Sequence, residues 1–286
     1  MPAVSPESQA SEALPSRRRR TPRGGRHRGD ESFLLPPGSP ALVLAVPGHA
    51  RQAGAEVAHE LARLVEIEHT GQPAYLAHLE GEEANLNAVL AGLRRDEDAP
   101  AAVVVPLSTG PDRAMDAAVH AAVAGSPARA VAAEPLGPHP LIAEALHDRL
   151  ADAGLARADR IRLMTMVTAA SGFIIATPGD AAAVRQAEVT GVLLASRLAA
   201  PVFTASLNDV ASVKAAAEQL HAAGATSIAV APHLIGTEPE TGLIAPAAAS
   251  VGSVGSAHSA PLGPHPALAR LAALRYVEAL SSALAQ

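Results

Sequence analysis

The hexapeptide Pro-Leu-Gly-Pro-His-Pro occurs twice in this 286-residue chain, at 135–140 and at 261–266. A helical apolar pattern follows each copy, so the motif reads as a turn that starts a helix with proline in its first turn. Other landmarks recur with it. Pro106 and Gly110 match Pro232 and Gly236 at the same offset of 126 residues, and the segment 43–48 matches 174–179 at an offset of 131. Matching offsets at several strand ends imply an internal duplication.

Each copy alternates short apolar runs with helical spacing. In the first, strands are predicted at 41–46, 73–79, 101–106 and 128–134, and helices at 52–68, 82–95, a short Ala-rich stretch ending near Gly125, and 140–153. In the second, strands are predicted at 173–177, 201–207, 226–232 and about 256–261. Helices are predicted at 181–199, at 209–223 and over a final amphipathic stretch carrying Leu268, Leu271, Leu274 and Leu280. A loop runs from 233 to Gly242, and 250–258 is Gly/Ser-rich and weakly patterned. Continuous apolar strands separated by helices imply parallel sheets covered on both faces, joined by right-handed crossovers. The expected fold is therefore α/β: two tandem units, 40–156 and 157–286, each a four-stranded parallel sheet flanked by helices. Ligands bind such sheets at the carboxyl ends of the strands, which places a cleft between the units, at loops 47–51, 107–113, 178–181 and 233–241.

Composition narrows the chemistry. With no Cys there is no disulfide, thiolate nucleophile or Cys-held metal, and any metal falls to His, Asp or Glu. This fits a cytoplasmic setting. No apolar run approaches the ~18–20 residues of a membrane helix. Residues 1–39 read as a disordered basic tail. Its first 30 residues hold seven Arg against Glu7, Glu12 and Asp30, so a net charge of −6 overall leaves −10 for the remainder. The run Arg17–Arg20 is followed by Thr-Pro-Arg-Gly-Gly and not by the apolar stretch of an export signal. The tail has the charge to touch a polyanion or simply to remain solvated, while the acidic remainder argues against nucleic-acid binding as the main activity. There is no GxGxxG, GxSxG or HExxH, and the sole Lys, Lys214, lies in no phosphate-binding loop.

The expected cleft loops carry the candidate residues. His49 follows the first strand and is either a metal ligand or base, as neutral imidazole allows, or a polar loop residue. Arg51 either anchors a carboxylate or stays in solvent. Asp112, after the third strand, either supports His49 or caps the next helix. Glu238 and Glu240 occupy the matching loop of the second unit, with His233 near its start. His139 and His265 lie in the repeated hexapeptide, where a structural turn accounts for them. His59 and His147 lie in helices as surface or packing residues.

Residues 40–285 resemble the sirohydrochlorin chelatase-like, or CbiX-like, class II chelatases. The likeness rests on the segment Leu42-Val-Leu-Ala-Val-Pro-Gly-His-Ala-Arg51, the strand Val103-Val-Val-Pro-Leu107 with its loop, and the two Leu-Gly-Pro-His-Pro turns. It implies two four-stranded parallel sheets with the active site between them. The implied activity is insertion of cobalt, iron or nickel into sirohydrochlorin, a lyase reaction of cobalamin or siroheme synthesis that needs no organic cofactor. The chain departs from the family at its metal site. The family's first loop reads Ala-His-Gly-Ser-Arg; aligned on Arg51, its His falls on Gly48 and its Gly on His49. The loop after the third strand has Gly110, Pro111 and Asp112 where the family carries a second His. On this resemblance His49 and Asp112 are the expected catalytic pair, with His49, Asp112 and Glu240 as metal ligands and Arg51 and Arg113 holding the substrate's carboxylates. The alternative is a non-catalytic tetrapyrrole- or metal-binding protein of the same fold; more remotely, the cleft serves another small ligand. In the first two readings the expected partners are a tetrapyrrole and a divalent metal, without a membrane, in a monomer or homodimer.

Overall fold

Six-residue strand β1 (Ala41–Val46) is buried along nearly its whole length, and the rest of the first sheet assembles around it. The computed structural model describes residues 35–36, 38–93, 100–157, 170–252 and 257–285. The first sheet has the order β2-β1-β3-β4, with β2 (Ala74–His78), β3 (Ala102–Pro106) and β4 (Ala130–Ala132). The second repeats it as β6-β5-β7-β8, with β5 (Gly172–Thr177), β6 (Val202–Ser206), β7 (Ile228–Pro232) and β8 (Ala257–His258). All pairings are parallel. The registers match as well. Leu42 pairs with Val103 and Phe173 with Ala229, the positions expected from the sequence offsets of 131 and 126. Val103 pairs with Val131 and Ala229 with Ala257, at 126 throughout.

Helices fill the connections: α1 (Ala55–Val65), α2 (Leu86–Gly92), α3 (Arg113–Ala124), α4 (Pro140–Asp152), α5 (Ala181–Leu198), α6 (Val210–Ala222), α7 (Ile244–Ser250) and α8 (Pro266–Leu284). Six of these starts are set by side-chain caps: Asn85, Asp112, His139, Asp180, Asp209 and His265 each accept a backbone N–H. Both hexapeptide histidines are thus helix caps, followed by proline at the first helical position. The predicted helix 52–68 begins later, after Gly54, and continues as a π-helical turn over Glu66–Thr70. In the second unit the predicted loop gives way to a 3₁₀ turn (Pro239–Leu243) that runs into α7.

The units exchange their last helices. α8 packs on α1 and across β3 and β4 of the first sheet, while α4 packs on α5 and against β7 of the second. α4 and α8 also pack on each other. One apolar core therefore runs through both, joining Leu44, Val103, Leu136 and Ile142 to Phe173, Ile175, Leu262, Leu268 and Tyr276. Reciprocal arginines tie the exchange. Arg149 on α4 donates from Nε to the Leu262 carbonyl (2.8 Å) in the second hexapeptide. Arg275 on α8, at the same offset of 126 from Arg149, donates to the Pro135 (2.9 Å) and Leu136 (3.4 Å) carbonyls in the first. The described residues belong to one compact unit. Leu35 and Pro36, within the segment expected as tail, contact the fold: Leu35 N–H bonds the Thr70 carbonyl (3.0 Å), and Gln72 donates to both their carbonyls. Arg17–Arg20 lie outside the described residues. Among those residues no helix is long and apolar enough to cross a membrane.

Candidate functional site

The carboxyl ends of β3, β5 and β7 meet at a cleft of about 460 Å³, within the range of small-molecule sites. Its walls come from the loops after these strands and from the first turns of α3 and α5: Leu107–Met115, Thr177–Asp180, and His233, Glu238 and Glu240. Contacts between loops hold the two units together here. Thr109 Oγ1 donates to the His233 carbonyl (2.9 Å). Gln52 Nε2 donates to the Thr237 (2.6 Å) and Pro47 (2.8 Å) carbonyls. Gly54, at φ +91°, lies directly against the Gly236 carbonyl, where any Cβ would collide with it.

Asp112, Arg113 and Glu240 all line the cleft, as expected. Asp112 also caps α3: Oδ1 accepts from Ala114 (2.9 Å) and Met115 (3.1 Å), while Oδ2 has no hydrogen bond among the described residues. Capping and ligand binding therefore do not exclude each other. Asp180 repeats this on α5, accepting from Ala182 (2.8 Å) and Ala183 (3.2 Å) with Oδ1. Those N–H groups hold its carboxyl below the usual range, with smaller help from the guanidinium groups of Arg113 and Arg185. Glu238 folds back on its own loop, accepting from the N–H groups of Ile235 (2.9 Å) and Gly236 (2.7 Å). Burial raises its pKa, opposed by those same bonds. The cleft thus carries four carboxylates and a single guanidinium, so it favours a cation.

His49 and Arg51 are not among the cleft-lining residues. Gln52 fixes this part of the loop, its Oε1 accepting from His49 N (3.1 Å). The imidazole of His49 instead pairs with Glu80 (3.2 Å), and Arg51 pairs with Glu83 (2.7 Å), all four side chains being largely exposed. Pairing with acids of the β2–α2 connection thus keeps His49 and Arg51 beside the carboxyl end of β2. The expected ligand trio His49, Asp112 and Glu240 is not gathered into one group. Among the described residues no three His, Asp or Glu side chains are close enough to hold an ion by themselves.

One residue carries more than the sequence reading gave it. His233, directly after β7, is 3 % exposed and lines the cleft. Nδ1 lies 3.3 Å from Thr177 Oγ1, and Nε2 has no partner among the described residues. Burial without a charge partner pushes its pKa down to about 4, so the ring is neutral at physiological pH. An unpartnered buried polar atom costs about 1–3 kcal/mol, which marks this nitrogen. Thr190 Oγ1 in the same wall is also buried and unpartnered. The position equivalent to His233 in the first unit is Leu107. Its only sequence signal was a His set immediately after a fully apolar strand.

Residues 41–153 match the family described as CbiX. Among solved structures, the sirohydrochlorin chelatase SirB from Bacillus subtilis subspecies spizizenii in complex with cobalt superposes with a TM-score of 0.62 at 15 % identity, covering 86 % of this chain and 98 % of that one. SirB from Bacillus subtilis with Fe3+ gives a TM-score of 0.62 at 17 % identity, with the same coverage. No curated protein matches by sequence.

Proposed function

From a chain that is CbiX-like over residues 41–153 and has the fold of a sirohydrochlorin chelatase, we infer a chelatase-like function: insertion of a divalent metal, cobalt or iron, into a sirohydrochlorin-type tetrapyrrole. The observation that carries this reading is the cleft itself. It lies between the carboxyl ends of two matched sheets, and four carboxylates and a buried neutral imidazole line its wall. Imidazole nitrogen with carboxylate oxygen suits first-row transition ions better than magnesium or calcium.

Insertion requires that the ion be held weakly enough to pass on and that two pyrrole N–H protons be removed as it enters. Glu240, Asp112 and Asp180 offer hard donors along the cleft wall, singly and not as one cage, since no three such side chains converge among the described residues. Glu238, whose pKa burial raises, is matched to receiving a proton. Arg113, at the cleft, is placed to pair with a peripheral carboxylate of the macrocycle. His49, paired with Glu80 beside the cleft, takes a lesser part than the resemblance alone implies. A second reading, binding of metal or tetrapyrrole without insertion, draws support from the carboxylates committed to helix caps and loop bonds.

The test mixes purified protein with sirohydrochlorin and Co²⁺ or Fe²⁺ and follows the visible spectrum against a protein-free control. Faster appearance of the metallated spectrum is expected, slowed by ~10–100-fold in Glu240→Gln, the range for loss of a group that supports a metal site. Perturbation of the macrocycle spectrum with no acceleration would leave the binding reading in place.

A further inference from the structure

We propose that Gln52 staples shut one of two equivalent seams between the units, so that the cleft has a single mouth, between the β3–α3 loop and the first turn of α5. The identity of the guest rests on the chelatase-like reading; the side from which it enters rests on the chain's own repeat. One seam brings the loop after β1 against the loop after β7. The other brings the loop after β5 against the loop after β3. An offset of 131 carries Pro47, Gly48, Gln52 and Gly54 onto Pro178, Gly179, Ala183 and Arg185. An offset of 126 carries Gly110 and Pro111 onto Gly236 and Thr237. The two seams can therefore be compared residue by residue.

Three observations separate them. First, the Gln52 amide bridges its seam: Nε2 donates to the Pro47 (2.8 Å) and Thr237 (2.6 Å) carbonyls while Oε1 accepts from the His49 N–H (3.1 Å). Its counterpart Ala183 has only a methyl group, which cannot reach across, and it lines the cleft. Second, the backbones meet in one seam alone. Gly54 lies against the Gly236 carbonyl, whereas Arg185 stands in the place of Gly54 in the other seam, and a Cβ added to Gly110 would meet nothing within 4 Å. Third, the backbone is shaped for the staple. Residues 181–185 are the first helical residues of α5, but residues 50–54, one repeat away, form turns that end at Gly54 with φ +91°. A clasp needed only for stability would serve both seams. The open rim carries Arg113 and Arg185, both near enough to Asp180 to act on its carboxyl, so the mouth suits a guest with carboxylates on its edge.

The experiment reads amide hydrogen exchange in the full chain, free and with sirohydrochlorin, together with sirohydrochlorin affinity. In the free chain, Gln52→Ala should speed exchange at Ile235 and Gly236, across the seam, by about 10-fold, the scale of one or two lost neutral hydrogen bonds. Ala114 and Ala182, under the helix caps of the other seam, should not change. In the unmodified chain, bound sirohydrochlorin should slow exchange at Ala114 and Ala182 and not at His49 and Gln52, a readout independent of whether the Ala variant folds. Ala183→Gln, which keeps a good helix former while putting the longer side chain into the mouth, should weaken sirohydrochlorin by at least ~10-fold, the scale of an overfilled contact, at an unchanged urea midpoint. Unchanged exchange at Ile235 and Gly236 in a folded Gln52→Ala variant, guest protection at His49 and Gln52, or unaltered affinity in Ala183→Gln overturns the proposal. A chain that binds no sirohydrochlorin fails the proposed function, while exchange in the free chain still decides the staple. Binding through the mouth without metal insertion supports the staple and leaves the second reading of the function.

Discussion

His139 and His265 accept backbone N–H groups with Nδ1, at 3.1 Å from Leu141 and Ala267 respectively. That geometry requires the neutral ring, because a protonated Nδ1 would face another N–H. Burial lowers both pKa values, with nearby Arg275 adding to the effect at His139 and Arg149 at His265, while Asp148 opposes it at His265. The sign follows. A folded pKa below the unfolded 6.5 favours folding fully above pH 6.5, and this contribution is lost as pH falls through 6.5 toward the folded value. Stability should therefore drop on acidification from pH 7 to 5, measured by urea midpoints. The slope should be shallower in His139→Asn or His265→Asn, since Asn caps without titrating; an unaltered slope in both would remove the caps as its source. The two histidines show what a repeat can and cannot tell. The proline beside each made the turn readable, so their structural role was legible. The opposite held for His233, because a lone His after an apolar strand gives no indication of which nitrogen finds a partner.

At the scale of elements, the strands and most helices were legible because each has a continuous apolar run or a 3.6-residue period bounded by Gly, Pro or Asp. Asp209, for example, starts α6 by accepting from Ala211 (2.9 Å). Asp209→Ala should lower stability by about 1 kcal/mol, seen as a shifted denaturation midpoint. The element that escaped was α7, whose sequence Ile-Ala-Pro-Ala-Ala-Ala-Ser has a proline inside it and too few large apolar residues to show a period. It is held by tertiary packing of Ile244, Ala247 and Ala248 in the second unit's core. Side-chain pairings across elements were also invisible. Nothing in the spacing of His49 and Glu80, or of Arg51 and Glu83, says that the β2–α2 connection captures the first loop's charged groups. The candidate site was consequently half legible: Asp112, Arg113 and Glu240 reach the cleft, whereas His49 and Arg51 are held beside it.

At the scale of the molecule, the exchanged helices make the two units interdependent. Arg149 and Arg275 are mostly buried and each binds carbonyls in the other unit's turn. Replacing either by Ala should cost about 1.5–3 kcal/mol, the range for a lost charge-assisted bond, with an unchanged denaturant slope; a change below about 0.5 kcal/mol would mean water replaces the clasp freely. Residues 40–156 expressed alone should fail to unfold cooperatively, because α8 is missing from the first sheet; a sharp transition in that fragment would refute the interdependence. The offset of 126 that carries Arg149 onto Arg275 also carries Leu107 onto His233. In a symmetric pair of separate chains both positions would have to be the same residue, and any ligand there would appear twice about the axis. Joining the copies in one polypeptide removes that constraint. One wall can keep an alkyl group for packing while the other carries a polar ring, so a repeated scaffold can present two unlike faces to whatever enters between them.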